Sequence, residues 1–487
     1  MSPLNSAPSF RSTDKPPPPL SLEEAVKLAH ETRHIEAGER VLCKAPDLFR
    51  QFFGEKPALI VADPNTFAAA GQGVLESLRH SGTPTRESLF FTDPNLYAEH
   101  SFVAELESAL KDTDAIPIAV GSGTINDITK LAAHRTGRSY MAVATAASMD
   151  GYTAYGASIS YQGSKQTFPC PAPIAVLADI EVIAAAPPEL AASGYADLLA
   201  KVTAGADWLL ADALGVEPID QTAWLLAQGH LRDAVSNPPG VRERDRESIR
   251  QLTEALMFGG LAMQWNKSSR SASGAEHQFS HLWDMTFHHK ELNELNGLNK
   301  LNGENSEPGV ARGPETKAPS HGFKVGIGTL AVAALYEYLL ERDLVGLNIK
   351  DCVAQWPDQH ALQNRVTTLF SDNLLADIAL TETRAKWISP EALRGQLERL
   401  RQVWPELRER LRQQLMPYST LKRMLRDAGA PVEPEQIGIT RERFRQSFRQ
   451  AALIRRRFTV LDLAVRTGLL EPALDHLFGP VGPWPIS

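Results

Sequence analysis

The residues of this chain best suited to chemistry are an aspartate and three histidines. In S-A-S-G-A-E-H-Q-F-S-H, His277 and His281 are four residues apart, which on a helix places both imidazoles on one face. His321-Gly322 follows further on, opening F-K-V-G-I-G-T-L. Upstream lies Gly194-Tyr-Ala-Asp197-Leu-Leu-Ala-Lys201. One carboxylate and two neutral imidazoles make a three-ligand divalent site with open positions for substrate. The histidine spacing alone is unspecific, because such pairs are more often surface or hydrogen-bonded structure. Asp197 is the better clue, since burying a carboxylate uncompensated in an apolar helix turn is costly.

A second stretch suits a phosphate. Val120–Lys130 reads V-G-S-G-T-I-N-D-I-T-K, preceded by the apolar run I-P-I-A-V and continuing as I-T-K-L-A-A-H. A glycine turn between a buried strand and a helix brings backbone N–H groups and a helix N-terminus to an anion. Gly121 and Gly123 are expected to permit that approach, because a Cβ at either would push the ligand away. The pattern is G-x-G-x-x-x-D, not G-x-G-x-x-G, and by itself it is weak.

The elements needed to position these groups follow from periodicity. Ser21-Leu-Glu-Glu24 is a capping box for a first helix. Strands are expected at Ala58–Asp63, Ser88–Thr92, Ile116–Val120, Tyr140–Ala144 and Ile174–Ala178, with helices at Thr66–His80 and Tyr97–Leu110 and after Val120. Alternating strands and helices rich in Val, Ile and Ala predict a parallel sheet covered on both faces. Beyond Ala191, helical patterns take over: Gly194–Ala211, Arg244–Met263, His321–Leu340, Pro390–Gln414 and Arg441–Leu463, with a kink or break expected at Pro405. Arg441–Arg457 is basic, but Phe444 and Phe448 align with Ala451 and Ala452 as a core stripe beneath a solvated basic face. That reading is favoured over base stacking.

Residues 1–20 are Ser- and Pro-rich and read as a disordered tail, and Glu291–Ser320, with its L-N repeats, reads as a mobile surface insertion. His288 and His289, just ahead of it, are expected to be exposed. The domains are then 21–190, an α/β unit, and 191–487, a helical unit. Net charge −8 argues against nucleic acid or a membrane surface as partner, and three scattered cysteines provide neither a disulfide framework nor a metal site. No apolar run approaches the roughly 18–20 residues of a membrane span. A cytoplasmic protein is the expectation, and a symmetric homodimer is the prior for assembly.

Five motifs in order, G-S-G-T-I-N-D-I-T-K, T-A-A-S-M-D-G-Y, G-Y-A-D-L-L-A-K, S-G-A-E-H-Q-F-S-H and H-G-F-K-V-G-I-G-T, resemble the sn-glycerol-1-phosphate dehydrogenase family, bacterial branch. That family lies within the superfamily of metal-dependent alcohol dehydrogenases and dehydroquinate synthase. The resemblance implies a Rossmann-like N-terminal α/β domain plus an all-α C-terminal domain, dehydroquinate synthase-like, with the active site in the interdomain cleft. It implies Asp197, His277 and His321 as metal ligands, with zinc first and nickel or iron as alternatives. Asp150 and His281 match catalytic and substrate contacts, and Asp197 also stands at the substrate side. Gly121, Ser122, Gly123, Asn126, Asp127, Thr145 and Ser148 match the cofactor loops. Asp63 matches the acidic group on the adenosine ribose, favouring NAD over NADP. Ala154 departs from the serine of archaeal members. The implied reaction is reduction of dihydroxyacetone phosphate to sn-glycerol 1-phosphate, with Lys165 in Q-G-S-K-Q-T as candidate phosphate contact and His281 relaying the product proton. The competing readings are a glycerol or polyol dehydrogenase, a dehydroquinate synthase-like lyase, and a non-catalytic scaffold. Asp197, in place of that synthase's glutamate, weighs against the lyase, and the presence of all three ligands weighs against the scaffold.

Overall fold

The computed structural model describes residues 18–94, 96–161, 164–286 and 319–486. The tail to residue 17, His288, His289 and most of 291–320 therefore lie outside the described residues.

Six parallel strands form one sheet: β1 (His34–Gly38), β2 (Ala58–Ala62), β3 (Leu89–Phe90), β4 (Ile116–Gly121), β5 (Met141–Ala144) and β8 (Ala175–Asp179), in the order β1-β8-β5-β4-β2-β3. Strands β6 (Ala157–Tyr161) and β7 (Ser164–Phe168) make a separate antiparallel hairpin. Alternate residues of β2 enter opposite cores. Ala58, Ile60 and Ala62 meet Val74 and Leu78, whereas Leu59 and Val61 join the core that holds Leu106, Ile128 and Leu131. Burial on both faces is why these strands read as unbroken apolar runs. The helix Gln72–His80, after β2, and the helix Gly123–Arg135, after β4, therefore cover opposite faces of the sheet. The carboxyl ends of β2 and β4 flank a topological switch point, where open α/β sheets bind ligands.

Past β8 the chain is helical among the described residues. His321–Leu340 is the central helix, against which Pro188–Leu199 packs. Gly322 permits that contact, because a Cβ there would lie 1.9 Å from the Ser193 carbonyl oxygen. Gly194 does the same for the loop after β5, where a Cβ would lie 2.0 Å from the Ala147 oxygen. Two close approaches thus bring Asp197, His321 and the β5 loop together.

Several expectations need correction. His321–Leu340 is long and apolar enough to cross a membrane by length and composition, with mean hydropathy 1.4, yet 89% of it is buried as a core helix. Pro390–Gln414 continues as one helix through Pro405, so of the expected kink or break the break is absent. The helix expected over Gly194–Ala211 is two, Pro188–Leu199 and Lys201–Ala213, and Arg441–Leu463 divides into Arg441–Ala451 and a second helix from Val460. Phe444 and Phe448 are fully buried, as the stripe predicts. The Ser21–Glu24 capping box is present.

Candidate active site

One large cavity runs from the carboxyl ends of β2, β4 and β5 to the helical half. Asp63, Ser122, Thr145, His277 and His321 are on its wall. Asp197 comes from Pro188–Leu199, His277 from the helical stretch 275–286, and His321 from the first position of its own helix. One ligand atom from each of the three lies within 4.8 Å of the others.

Their orientation is fixed from behind. His277 Nδ1 faces Glu276 Oε1 at 2.9 Å, which turns Nε2 toward Asp197 Oδ1 at 3.5 Å. His321 Nδ1 faces Ser280 Oγ at 3.3 Å, which leaves Nε2 as its ligand atom toward the other two. Asp197 Oδ1 is buried without a hydrogen bond, with the Lys201 ammonium 3.6 Å away, so it retains capacity for a cation at closer range. A carboxylate and two imidazoles at this separation fit a divalent metal.

The electrostatics agree. Burial pushes Asp197 toward protonation, but the Lys201 ammonium and the two imidazoles outweigh it and hold the carboxyl far below the usual range. Burial, aided by the Lys165 charge, pushes His321 down to about 3, so its imidazole is neutral and able to ligate. Burial also opposes the charged form of His277, yet the Asp197 and Glu276 carboxylates beside it raise its pKa. That proton occupies a place suited to a metal ion.

Asp150 is locked into the same cluster. Its backbone N–H donates to Asp197 Oδ2 at 3.2 Å, and its Oδ2 accepts from Lys201 Nζ at 2.5 Å. Burial and the Asp197 charge raise the Asp150 carboxyl above its ordinary range. Sequence reasoning gave Lys201 no role. The signal was a lysine one helical turn after an aspartate in an apolar helix. Lys130 was likewise missed: fully buried, it donates to the carbonyls of Gly151, Ala154 and Gly156 at 2.9, 2.9 and 3.1 Å and so holds the Asp150 loop in place.

On the other side, Ser122, Gly123, Asp127, Thr145 and Ser148 line the cavity, as do Asp63 and Ala154. Helix Gly123–Arg135 begins at Ser122 without a side-chain cap, so its first N–H groups remain open to an anion. Gly121 and Asn126 are placed differently from expectation. A Cβ on Gly121 would meet Ile125 Cβ at 2.5 Å, so this glycine serves helix–strand packing. Asn126 is buried, donating to the Gly151 carbonyl and accepting from the Tyr140 hydroxyl. Asp63 Oδ1 accepts from the N–H groups of Asn65 and Thr66, capping a helical turn at the cavity edge.

His281 lies beside the three, its ring 6.3 Å from His277 and 6.2 Å from His321. Its Nδ1 is buried and unpartnered, and burial, aided by the Arg455 charge, holds its pKa well below the ordinary range. Lys165 is the remaining candidate. It stands on β7, lines the cavity, and lies 3.8 Å from Asp284 Oδ2.

The model of the iron-containing alcohol dehydrogenase family matches residues 36–187. A glycerol-1-phosphate dehydrogenase [NAD(P)+] of Halalkalibacterium halodurans is 34% identical over 315 residues, 63% of this chain and 73% of the relative. One of Pyrococcus furiosus is 30% identical over 308 residues, 62% and 78% of the two chains. One of Geobacillus stearothermophilus is 29% identical over 456 residues, 91% and 97%. Among solved structures, a probable glycerol dehydrogenase from Sinorhizobium meliloti has a TM-score of 0.53 at 16% identity, covering 91% of this chain and 97% of its own, and shares the fold.

Proposed function

The chain belongs to the NAD(P)-dependent glycerol-1-phosphate dehydrogenases, and from that premise we propose that it reduces dihydroxyacetone phosphate to sn-glycerol 1-phosphate with NADH, using one divalent metal. The observation that carries this reading is the meeting of Asp197 with His277 and His321, which stand on the wall of the cavity that the uncapped helix at Ser122 also lines.

A divalent ion held by Asp197, His277 and His321 would polarise the substrate carbonyl and stabilise the charge developing on its oxygen. The donor set suits zinc first, with nickel and iron as alternatives. The remaining work falls to the chain itself. The open N–H groups after Ser122 bind the dinucleotide pyrophosphate, with Thr145 and Ser148 at the nicotinamide side. Asp63 keeps one oxygen for its helical turn and offers the other to the ribose, disfavouring a 2′-phosphate and hence NADP. His281 is held neutral, so it hands on the product proton instead of storing one. Asp150, gripped by Lys201, orients the substrate hydroxyls.

The test is NADH oxidation with dihydroxyacetone phosphate before and after chelation, with zinc or nickel restored. Turnover that disappears and returns with metal supports the reading. A folded protein that binds NADH but turns over with no metal contradicts it.

A further inference from the structure

The part of the cavity wall around His281 is rich in positive charge. Lys165 from β7, Lys324 from the first turn of His321–Leu340, and Arg455 from the segment between Arg441–Ala451 and Val460 all line it. The carboxylate among them is Asp284, which pairs with Lys324 and lies 3.8 Å from Lys165. Asp284 offsets one of the two lysine charges, and Glu382, the carboxylate whose charge reaches Arg455, is already held by Arg456, so two positive charges remain. Toward the metal-binding groups, Asp127 lies 3.6 Å from Lys130, and Asp150 and Asp197 share Lys201.

Arg455 is the informative member. It belongs to the run Arg455-Arg456-Arg457. Arg456 grips both Glu382 oxygens, and Arg457 donates to the Ser269 and Ser273 carbonyls. Among the described residues, Arg455 has no hydrogen-bond or ion-pair partner. Its guanidinium is half-exposed on the cavity wall, with its N–H groups uncommitted to any described residue. Its fork of N–H groups matches a phosphate better than any other common group.

We propose that Arg455, with Lys165 and Lys324, forms the subsite for the phosphate of the substrate, and that Arg455 is the residue selecting a phosphorylated triose over a free one. This rests on the dehydrogenase reading above. A phosphate monoester near neutral pH carries about −1.5 to −2 charges, which meets the surplus. The charges of Arg455 and Lys165 both act on His281, which stands beside His277 and His321, so the anchor and the metal-binding groups border the same residue. Asp284 then holds the two lysines apart and in place, and is a positioning residue.

The test uses full-length, zinc-loaded, NADH-saturated protein as wild type, Arg455→Met, Arg455→Lys and the exposed control Arg394→Met. Two readouts are taken: the ratio of kcat/KM for dihydroxyacetone phosphate over dihydroxyacetone, and calorimetric binding of inorganic phosphate. In Arg455→Met the ratio falls roughly 10- to 100-fold, chiefly through KM, as for a lost charge-assisted hydrogen bond. Phosphate binding weakens in parallel, Arg455→Lys restores part of both, and Arg394→Met changes neither. A proportional loss with both substrates, or phosphate binding equal to wild type in Arg455→Met, overturns the proposal. If wild type never turns over dihydroxyacetone phosphate, the dehydrogenase reading fails and phosphate binding alone decides. Binding that depends on Arg455 upholds the anion subsite for another phosphate monoester, and binding that does not, or none, removes it.

Discussion

Lys201 Nζ lies 2.5 Å from Asp150 Oδ2, across 51 positions of sequence, with the lysine side chain wholly buried. The same ammonium is 3.6 Å from Asp197 Oδ1 and donates to the Asp197 carbonyl oxygen at 2.9 Å. One cation thus joins the loop after β5 to the helix that carries the central carboxylate. Such a group is tolerated at full burial because each of its partners is an acceptor.

Removing that cation strands two carboxylates. Lys201→Met is expected to lower unfolding stability by about 3–5 kcal/mol, the usual cost of breaking a buried ion pair from one side. Urea unfolding of the metal-free protein measures it. A loss below about 1 kcal/mol would place the pair in the range of weak, solvent-screened contacts.

Backbone approach is a separate lever on the site. Gly322→Ala places a methyl group 1.9 Å from the Ser193 carbonyl oxygen, so helix His321–Leu340 must shift. A stability loss of about 1–3 kcal/mol is expected from overpacking, together with weaker metal binding because His321 begins that helix. Unchanged metal affinity in a folded variant would show that His321 does not ligate.

The sequence was most informative where burial leaves a simple pattern. β2, β4, β5 and β8 are covered on both faces and read as apolar runs, and the polar helix after β4 begins at a visible glycine turn. β1 escaped notice because all five of its residues are half-buried at the edge of the sheet, giving no apolar run. The β6–β7 hairpin carries Ser, Gln and Lys, which read as loop. Asp197, His277 and His321 were legible as chemistry-bearing residues, although nothing local told that Gly194 and Gly322 draw their segments together. Lys201 and Arg455 were not legible as site residues. A lysine in an apolar helix reads as a chain reaching for solvent, and one arginine of three in a row looks like its neighbours until their partners are known.

Asp207 gives the account a pH signature away from the cavity. Burial, with the Glu276 charge, pushes its carboxyl up to about 7. Because the folded-state value is raised, its contribution to stability is fully present below the unfolded-state value near 4 and is lost as pH rises toward 7. Asp207→Asn lacks this titration. Its stability relative to wild type should therefore improve between pH 4 and 7 and level off above, on top of a constant offset from altered hydrogen bonds to Tyr336 and Ala275. Denaturant midpoints across that range give the answer. A pH-independent difference would mean that Asp207 titrates at an ordinary value.

His281 separates proton handling from metal binding. His281→Ala should retain bound metal and NADH affinity while kcat falls by roughly 100-fold, within the usual range for a lost proton-transfer group. Stopped-flow reduction of dihydroxyacetone phosphate, with metal content measured on the same sample, distinguishes the two. Unchanged kcat would remove His281 from the mechanism.

The central claim is that Asp197, His277 and His321 form a metal centre. It is tested most directly by equilibrium titration of chelated protein with zinc, wild type against Asp197→Ala, with NADH binding followed in both. The account predicts one tight zinc per chain in wild type, loss of that site in Asp197→Ala, and NADH binding in both proteins. Zinc binding of equal stoichiometry and affinity in folded Asp197→Ala would contradict it.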